Sequence, residues 1–332
     1  MFTNSPTQSI TLWDKQIFVK RDDLLDTHFS GNKARKFYHF LVNDFPHIKY
    51  IVGSGSAQAN SLYSLSVLAK MNGWQLDYYV SHISEQVKSQ YTSSTASQTN
   101  YAKSLENGAN VLAIDWQRQQ FSDCEHLDDA IEVLKPQYIE RYGDKVLFVP
   151  EGGRCEFAKT GLKQLAAEVL EWSKATKQND VVVFLPSGTG TTAVYLNQQL
   201  ALLNASNDIK VQVATCCTVG DESYLTAQFS QLVDDVHLHP IILNDGKKYH
   251  FGKLYLPLYQ LWQEVQQSTG VEFDLLYDPI GLSVLKHHLN NPIFADKTVL
   301  YLHQGGLIGN HSMLKRYQRK LAKTNVRKVE RG

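Results

Sequence analysis

Short apolar runs, rich in β-branched residues, recur along the chain at 17–20, 50–52, 75–80, 110–114, 146–149, 181–185, 211–214 and 298–302. Between them lie longer stretches with helical spacing, at 32–42, 60–71, 87–106, 159–174, 191–203 and 254–267. Several of these begin just after Gly, Ser or Asn, as helix starts do. Strands alternating with helices of ten to fifteen residues predict βαβ units, an α/β fold and a mostly parallel sheet. The run 181–185 is apolar throughout, which predicts a central strand covered on both faces. The aromatic-rich stretch 255–262 reads as the buried face of a helix. No solenoid period and no low-complexity tract is present.

Composition narrows this picture. The chain has 332 residues, enough for two domains at roughly 150 residues each. Lys plus Arg and Asp plus Glu are 33 each, so the formal net charge is zero. That argues against a nucleic-acid or anionic-membrane partner, both of which need a basic excess. No apolar stretch approaches the roughly 18 to 20 residues that cross a bilayer. The first ten residues are polar and lack the features of a signal peptide. Four cysteines, Cys124, Cys155, Cys216 and Cys217, are too sparse for a disulfide scaffold. They predict reduced, mostly buried thiols in a cytoplasmic protein. The histidines and cysteines show no zinc spacing, so no metal is expected. His287 and His288 read as an exposed helix face. The basic tail, 315–331, reads as a solvated helix that frays.

A parallel sheet also says where chemistry belongs, in loops beyond the carboxyl ends of its strands. Four such loops are rich in small residues: 53–58, 151–153, 186–192 and 303–306. Ser187, Gly188, Thr189, Gly190, Thr191 and Thr192 follow the buried strand and open a helix. Backbone N–H groups there, with four hydroxyls, suit a phosphate. No GK[ST] follows, so the loop is not a P-loop. It fits G-x-G-x-x-A, but the acidic residue that binds a dinucleotide ribose is missing from the end of the next strand, and Asp208 lies before it. A compact phosphate monoester fits better than NAD, and an NAD-linked oxidoreductase stays as an alternative.

Lys33 opens a helix within Gly31-Asn32-Lys33. A lysine with a phosphate cradle is the minimum a protein supplies to pyridoxal 5′-phosphate. The pieces KRDDL…SGNKARK (20–36), GSGSAQANSLYSLSVLAKMNGW (53–74), PEGG (150–153), PSGTGTTA (186–193), YDP (277–279) and LHQGG (302–306) together resemble the family of D-cysteine desulfhydrase and 1-aminocyclopropane-1-carboxylate deaminase. These are fold-type II pyridoxal-phosphate enzymes, tryptophan synthase beta-like, and the match runs through nearly the whole chain in order. The resemblance implies two three-layer α/β domains with mostly parallel twisted sheets and the cofactor in the cleft. The larger would comprise 1–44 and 144–332, the smaller 45–143. It implies a homodimer and a small amino acid substrate. It makes Lys33 the Schiff-base lysine, with Lys36 as the rival that only the motif excludes. It sets Asn60 on the pyridoxal 3′-oxygen, residues 187–192 on the phosphate and Gln304 on the pyridine nitrogen. Ser56, Ala57, Gln58 and Ala59 would meet the substrate carboxylate.

Two departures bear on chemistry. The family's Gln-Ser-Asn reads Gln58-Ala59-Asn60 here, and its Asp-Pro-Val-Tyr reads Asp278-Pro279-Ile280-Gly281. Tyr277, four residues before Gly281, would share a face with it in an extended segment and is the candidate to fill the gap. Ring opening needs a positioned nucleophile or acid, and both missing hydroxyls would serve it. β-Elimination from a cysteine-like substrate needs only removal of the Cα proton and a good leaving group. The expectation is a lyase or deaminase. The alternative is a cofactor-binding protein with weak or altered catalysis.

Overall fold

The computed structural model describes residues 4–26, 29, 31–92, 99–204 and 209–329, with backbone only at 90, 92 and 324–329. Ser30, Asp208, residues 1–3 of the polar start, 93–98 of the expected long helix and 330–331 of the tail lie outside the described residues.

In chain order, β1 (Thr7–Leu12) and β2 (Lys15–Arg21) form a hairpin, followed by α1 (Gly31–Val42). Next come β3 (Tyr50–Ser54), α2 (Asn60–Asn72), β4 (Gln75–Val80), α3 (Glu85–Thr92), α4 (Asn100–Glu106) and β5 (Asn110–Ala113). Then α5 (Leu127–Tyr142), β6 (Val146–Val149), α6 (Ala158–Thr176), β7 (Asp180–Ser187), α7 (Thr191–Leu203) and β8 (Lys210–Cys217). The chain ends with α8 (Glu222–Ser230), β9 (Ile241–Leu243), α9 (Leu256–Thr269), α10 (Asp278–His288), β10 (Thr298–His303) and α11 (Ile308–Val329).

Two compact units result: residues 1–32 with 162–332, and residues 33–161. The chain leaves the first unit within α1, after Asn32, and returns within α6, after Gly161.

Among the described residues the first unit holds a six-stranded sheet, order β1-β2-β10-β7-β8-β9. Only the β1–β2 pair is antiparallel. All five side chains from Val181 to Leu185 are fully buried, each worth about 1.5–3 kcal/mol. Val182 and Phe184 join Leu258, Trp262 and Val265 of α9 and Leu282 and Leu285 of α10 in one core. Alternation sends Val181, Val183 and Leu185 to the other face. On β2, Phe18 meets Trp172 of α6 edge-on at 5.1 Å, and Lys20 pairs with Glu168 at 2.7 Å. The second unit holds a four-stranded parallel sheet, order β5-β4-β3-β6.

Several expectations change. The helix expected over 87–106 is broken, because Thr99 is extended (φ −117°, ψ 152°) and its side chain caps α4 by accepting from Ala102 N. The segment from Tyr277 to Gly281 is not extended but opens α10, with Pro279 in its first turn. Of the four thiols only Cys216 is buried; the others are half-buried. His288 is half-buried, its Nε2 2.7 Å from the Asn244 carbonyl. The tail helix α11 is docked over its first half. Tyr317 is buried and stacks on Tyr259 at 4.4 Å, and Arg316 donates to the Gly252 carbonyl at 2.7 Å. Among the described residues no helix is long and apolar enough to cross a membrane.

Candidate active site

Each sheet contains a strand from which the chain winds both ways. In the second unit β3 leads through α2 to β4 on one side, while β6 lies on the other. In the first unit β7 leads through α7 to β8, while β10 lies on the other side. Such switch points splay the loops at the strand ends and leave room for a ligand.

At the switch point of the first unit, the loop after β7 is tied down from below. Thr215 Oγ1 donates to Ser187 Oγ at 2.6 Å, and Thr218 N and Oγ1 both donate to the Ser187 carbonyl at 2.9 Å. Gly190 caps α7 with φ +70°. A Cβ there would collide with the Phe229 ring, so this left-handed turn needs glycine. No side chain caps the α7 N-terminus, which leaves its N–H groups for an anion. Thr189 and Thr191 hydroxyls lie 3.0 Å apart. Thr192 Oγ1 is buried and has no partner among the described residues. An orphaned hydroxyl beside uncapped N–H groups is what a phosphate cradle requires, and these residues fit the phosphate of the pyridoxal 5′-phosphate that the resemblance implies.

Gln304 leaves the end of β10 next to this loop. Its Nε2 donates to the Pro186 carbonyl at 2.6 Å, and its Oε1 accepts from Asn32 Nδ2 at 3.0 Å. Among the described residues one N–H and one lone pair of the amide remain for a ligand. Asn32 N also donates to the Gln304 carbonyl at 2.9 Å. Gly31, with φ +69°, lies so close to that carbonyl that any Cβ would overlap it. The residue before Lys33 is therefore clasped by the residue beside the anion loop. Tyr277 also belongs here, its ring 3.4 Å from where a Cβ of Gly188 would stand. Gly281 does not face an open gap. A Cβ on it would lie 2.9 Å from Tyr301 Oη and 3.1 Å from Pro186. Tyr301 fills that room and donates to Asp278 Oδ1 at 2.7 Å.

Lys33 lies in the second unit, in the first turn of α1. Burial pushes its amine down to about 8, and Glu151 pulls it partly back up. Lys36 differs. Its Nζ donates to the Gly152 carbonyl at 2.8 Å, and burial, then Lys33, holds it well below the usual lysine range. Glu151 is exposed, yet the atoms packed about its carboxyl, and then Asp128, raise it above the usual carboxylate range. Its Oε1 and the Tyr78 hydroxyl lie 3.1 and 2.5 Å from where a Cβ of Gly55 would stand. Ser61 Oγ is 3.1 Å from that hydroxyl.

The loop after Gly55 is a tight turn. Ala59 N donates to the Ser56 carbonyl at 3.0 Å, and Gln58 N to Ser56 Oγ at 3.3 Å. Ser56 is exposed, Ala57 buried, and Gln58, Ala59 and Asn60 half-buried. Ala59 occupies the N-cap of α2, which has no side-chain cap as a result. Asn60 Oδ1 accepts from Asn100 Nδ2 at 2.8 Å.

Thus Ser187 to Thr192, Gln304 and Tyr277 meet in one unit, and Lys33 and residues 56–60 lie in the other. Asn32, Glu151, Tyr78 and Asn100 were not singled out in the sequence. Asn32 and Glu151 sit inside the Gly-Asn-Lys and Pro-Glu-Gly-Gly motifs, which is a usable signal. Tyr78 and Asn100 carry none.

No family model matches the chain. It is 26% identical over 305 residues to a D-cysteine desulfhydrase of Serratia proteamaculans, covering 88% of this chain and 87% of that one. It is 23% identical over 310 residues to a bifunctional mitochondrial D-cysteine desulfhydrase/1-aminocyclopropane-1-carboxylate deaminase of Arabidopsis thaliana, covering 89% and 73%. A solved 1-aminocyclopropane-1-carboxylate deaminase homologue superposes with a TM-score of 0.70 at 20% identity, over 92% of this chain and 90% of that one. The chain therefore has the fold of the fold-type II pyridoxal-phosphate enzymes, and it is similar along most of its length to the D-cysteine desulfhydrase and 1-aminocyclopropane-1-carboxylate deaminase family.

Proposed function

We propose that the protein is a pyridoxal-phosphate-dependent lyase or deaminase that releases a β-substituent from a small amino acid such as cysteine, giving a keto acid and ammonia. The observation that carries this reading is Lys33, an amine held near neutrality whose preceding residue is clasped by Gln304 beside the anion loop. Lys33 would hold the cofactor, Ser187 to Thr192 its phosphate, Asn60 its 3′-oxygen and Gln304 its ring nitrogen. The bound cofactor would draw the electrons released at the substrate Cα into its ring.

The chain's own groups supply the rest. As a free amine beside the substrate, Lys33 Nζ would have the proton affinity to take the Cα proton near pH 7–8. Glu151 would stabilise the protonated amine through its charge. Residues 56–59 would hold the substrate carboxylate through backbone N–H groups, and Tyr277 would close the substrate side. A neutral Gln304 does not force protonation of the ring nitrogen as a carboxylate would, which suits elimination of a good leaving group such as a thiolate. The four unpaired thiols support a cytoplasmic setting, and the family likeness supports a homodimer.

A second reading, cofactor binding with weak catalysis, is favoured by Gly281. The space in which a tyrosine would stand there is filled by Tyr301. The deciding experiment measures keto acid and sulfide release from D-cysteine, L-cysteine, D-serine and aminocyclopropane carboxylate. Elimination from one cysteine enantiomer, abolished in Lys33→Ala, is expected. A borohydride-sensitive visible band with no keto acid from any substrate supports the second reading, and no band at all removes the cofactor.

A further inference from the structure

We infer that Asn100 is a positioning residue that holds the amide of Asn60 with its NH2 group outward, so that Asn60 meets the cofactor only as a hydrogen-bond donor. This rests on the reading above. The two residues start α4 and α2.

The orientation follows from a group that cannot be reversed. The Gln58 backbone carbonyl only accepts, so the Asn100 atom facing it at 2.9 Å is nitrogen. That same Nδ2 lies 2.8 Å from a terminal atom of Asn60. Nitrogen only donates here, so the Asn60 atom is oxygen. The Asn60 Nδ2 is then directed away from Asn100.

Asn100 is itself fixed. It is 3% exposed, and Ser104 Oγ donates to its carbonyl at 2.6 Å. Thr99 beside it caps α4. Its Oδ1 is buried without a partner among the described residues, an arrangement that a purely structural asparagine gains nothing from. A donor facing the phenolic 3′-oxygen stabilises its anion. That lowers the proton affinity of the nitrogen through which Lys33 would be attached.

The test is absorbance against pH for the holoprotein and its Asn100→Asp, Asn100→Ala, Asn60→Ala and Asn60→Ala/Asn100→Asp variants. In Asn100→Asp, carboxylate oxygens face both Gln58 O and Asn60, so the Asn60 amide turns over. The pH at which the visible band is half lost should rise by about one to two units in Asn100→Asp. It should rise in Asn60→Ala by no more than this, since the donor is lost without an oxygen taking its place, and the double variant should match Asn60→Ala. Asn100→Ala should show a smaller rise and serves if the aspartate variant does not fold. An unchanged midpoint in both Asn100 variants overturns the inference and leaves the cofactor reading intact. An additive shift in the double variant also overturns it, since a charge would then be acting without Asn60. A wild-type protein with no borohydride-sensitive band overturns that reading, and the inference with it.

Discussion

Lys33 and Lys36 stand one helical turn apart, and their surroundings separate them. Lys36 is spent on the Gly152 carbonyl, while the Lys33 amine is desolvated and balanced by Glu151. Trapping of pyridoxal on the apoprotein by borohydride should therefore rise with pH to a plateau with its midpoint near 8. Glu151→Gln removes the group that pulls the amine up and should move that midpoint down. An upward move would contradict the assignment. Thr192 offers a second check. Its hydroxyl, without a partner among the described residues, costs the apoprotein and would serve the phosphate, so Thr192→Val should stabilise the apoprotein by about 1 kcal/mol. The same change should weaken cofactor binding by about tenfold, as followed by fluorescence titration. Ala59 leaves α2 without a cap. Ala59→Ser should add about 1 kcal/mol in urea unfolding and restore the hydroxyl the family places at the substrate.

At the scale of elements, α10 carries most of what the sequence could not show. Its first turn is built on two buried carboxyls, Asp274 and Asp278, joined through the Asp274 N–H to Asp278 Oδ2 bond of 2.9 Å. Burial raises Asp274 to about 7, and burial with the Asp274 charge beside it holds Asp278 well above the usual carboxylate range. With the folded value above the unfolded one, the folded chain keeps a proton that the unfolded chain has lost. Stability from this pair is thus full below about pH 4 and is lost as pH rises through the folded values of both groups, about 7 for Asp274. Asn at 274 can still accept from the Leu276 and Tyr277 N–H groups, at 2.8 and 2.6 Å in the wild type. Asp274→Asn should be more stable than wild type in unfolding at pH 8 and equal to it near pH 4. In the same helix, Gly281→Ala should cost about 1–3 kcal/mol by pressing on Tyr301 and Pro186. A tyrosine at 281 therefore restores nothing by itself.

At the scale of the molecule, what was legible was what the chain writes contiguously. The run 181–185 announced the central strand because both its faces are covered. The loop 187–192 could be read as a strand end, a glycine turn and a helix start because the three follow one another. The strand Thr7–Leu12 was missed because it is an edge strand with only Ile10 and Leu12 buried in it. Ile241–Leu243 has only three residues and gives almost no pattern. The pairs Gly55 with Glu151 and Asn60 with Asn100 were invisible for another reason. They are made by the return of the chain to the β3 and β6 ends and by the packing of α4 on α2, and no local spacing encodes that. The central claim is that Lys33 carries pyridoxal phosphate, and peptide mass analysis of borohydride-reduced holoprotein tests it most directly. A reduced pyridoxyl group on Lys33 alone is predicted; a label on Lys36, or none, would contradict the account.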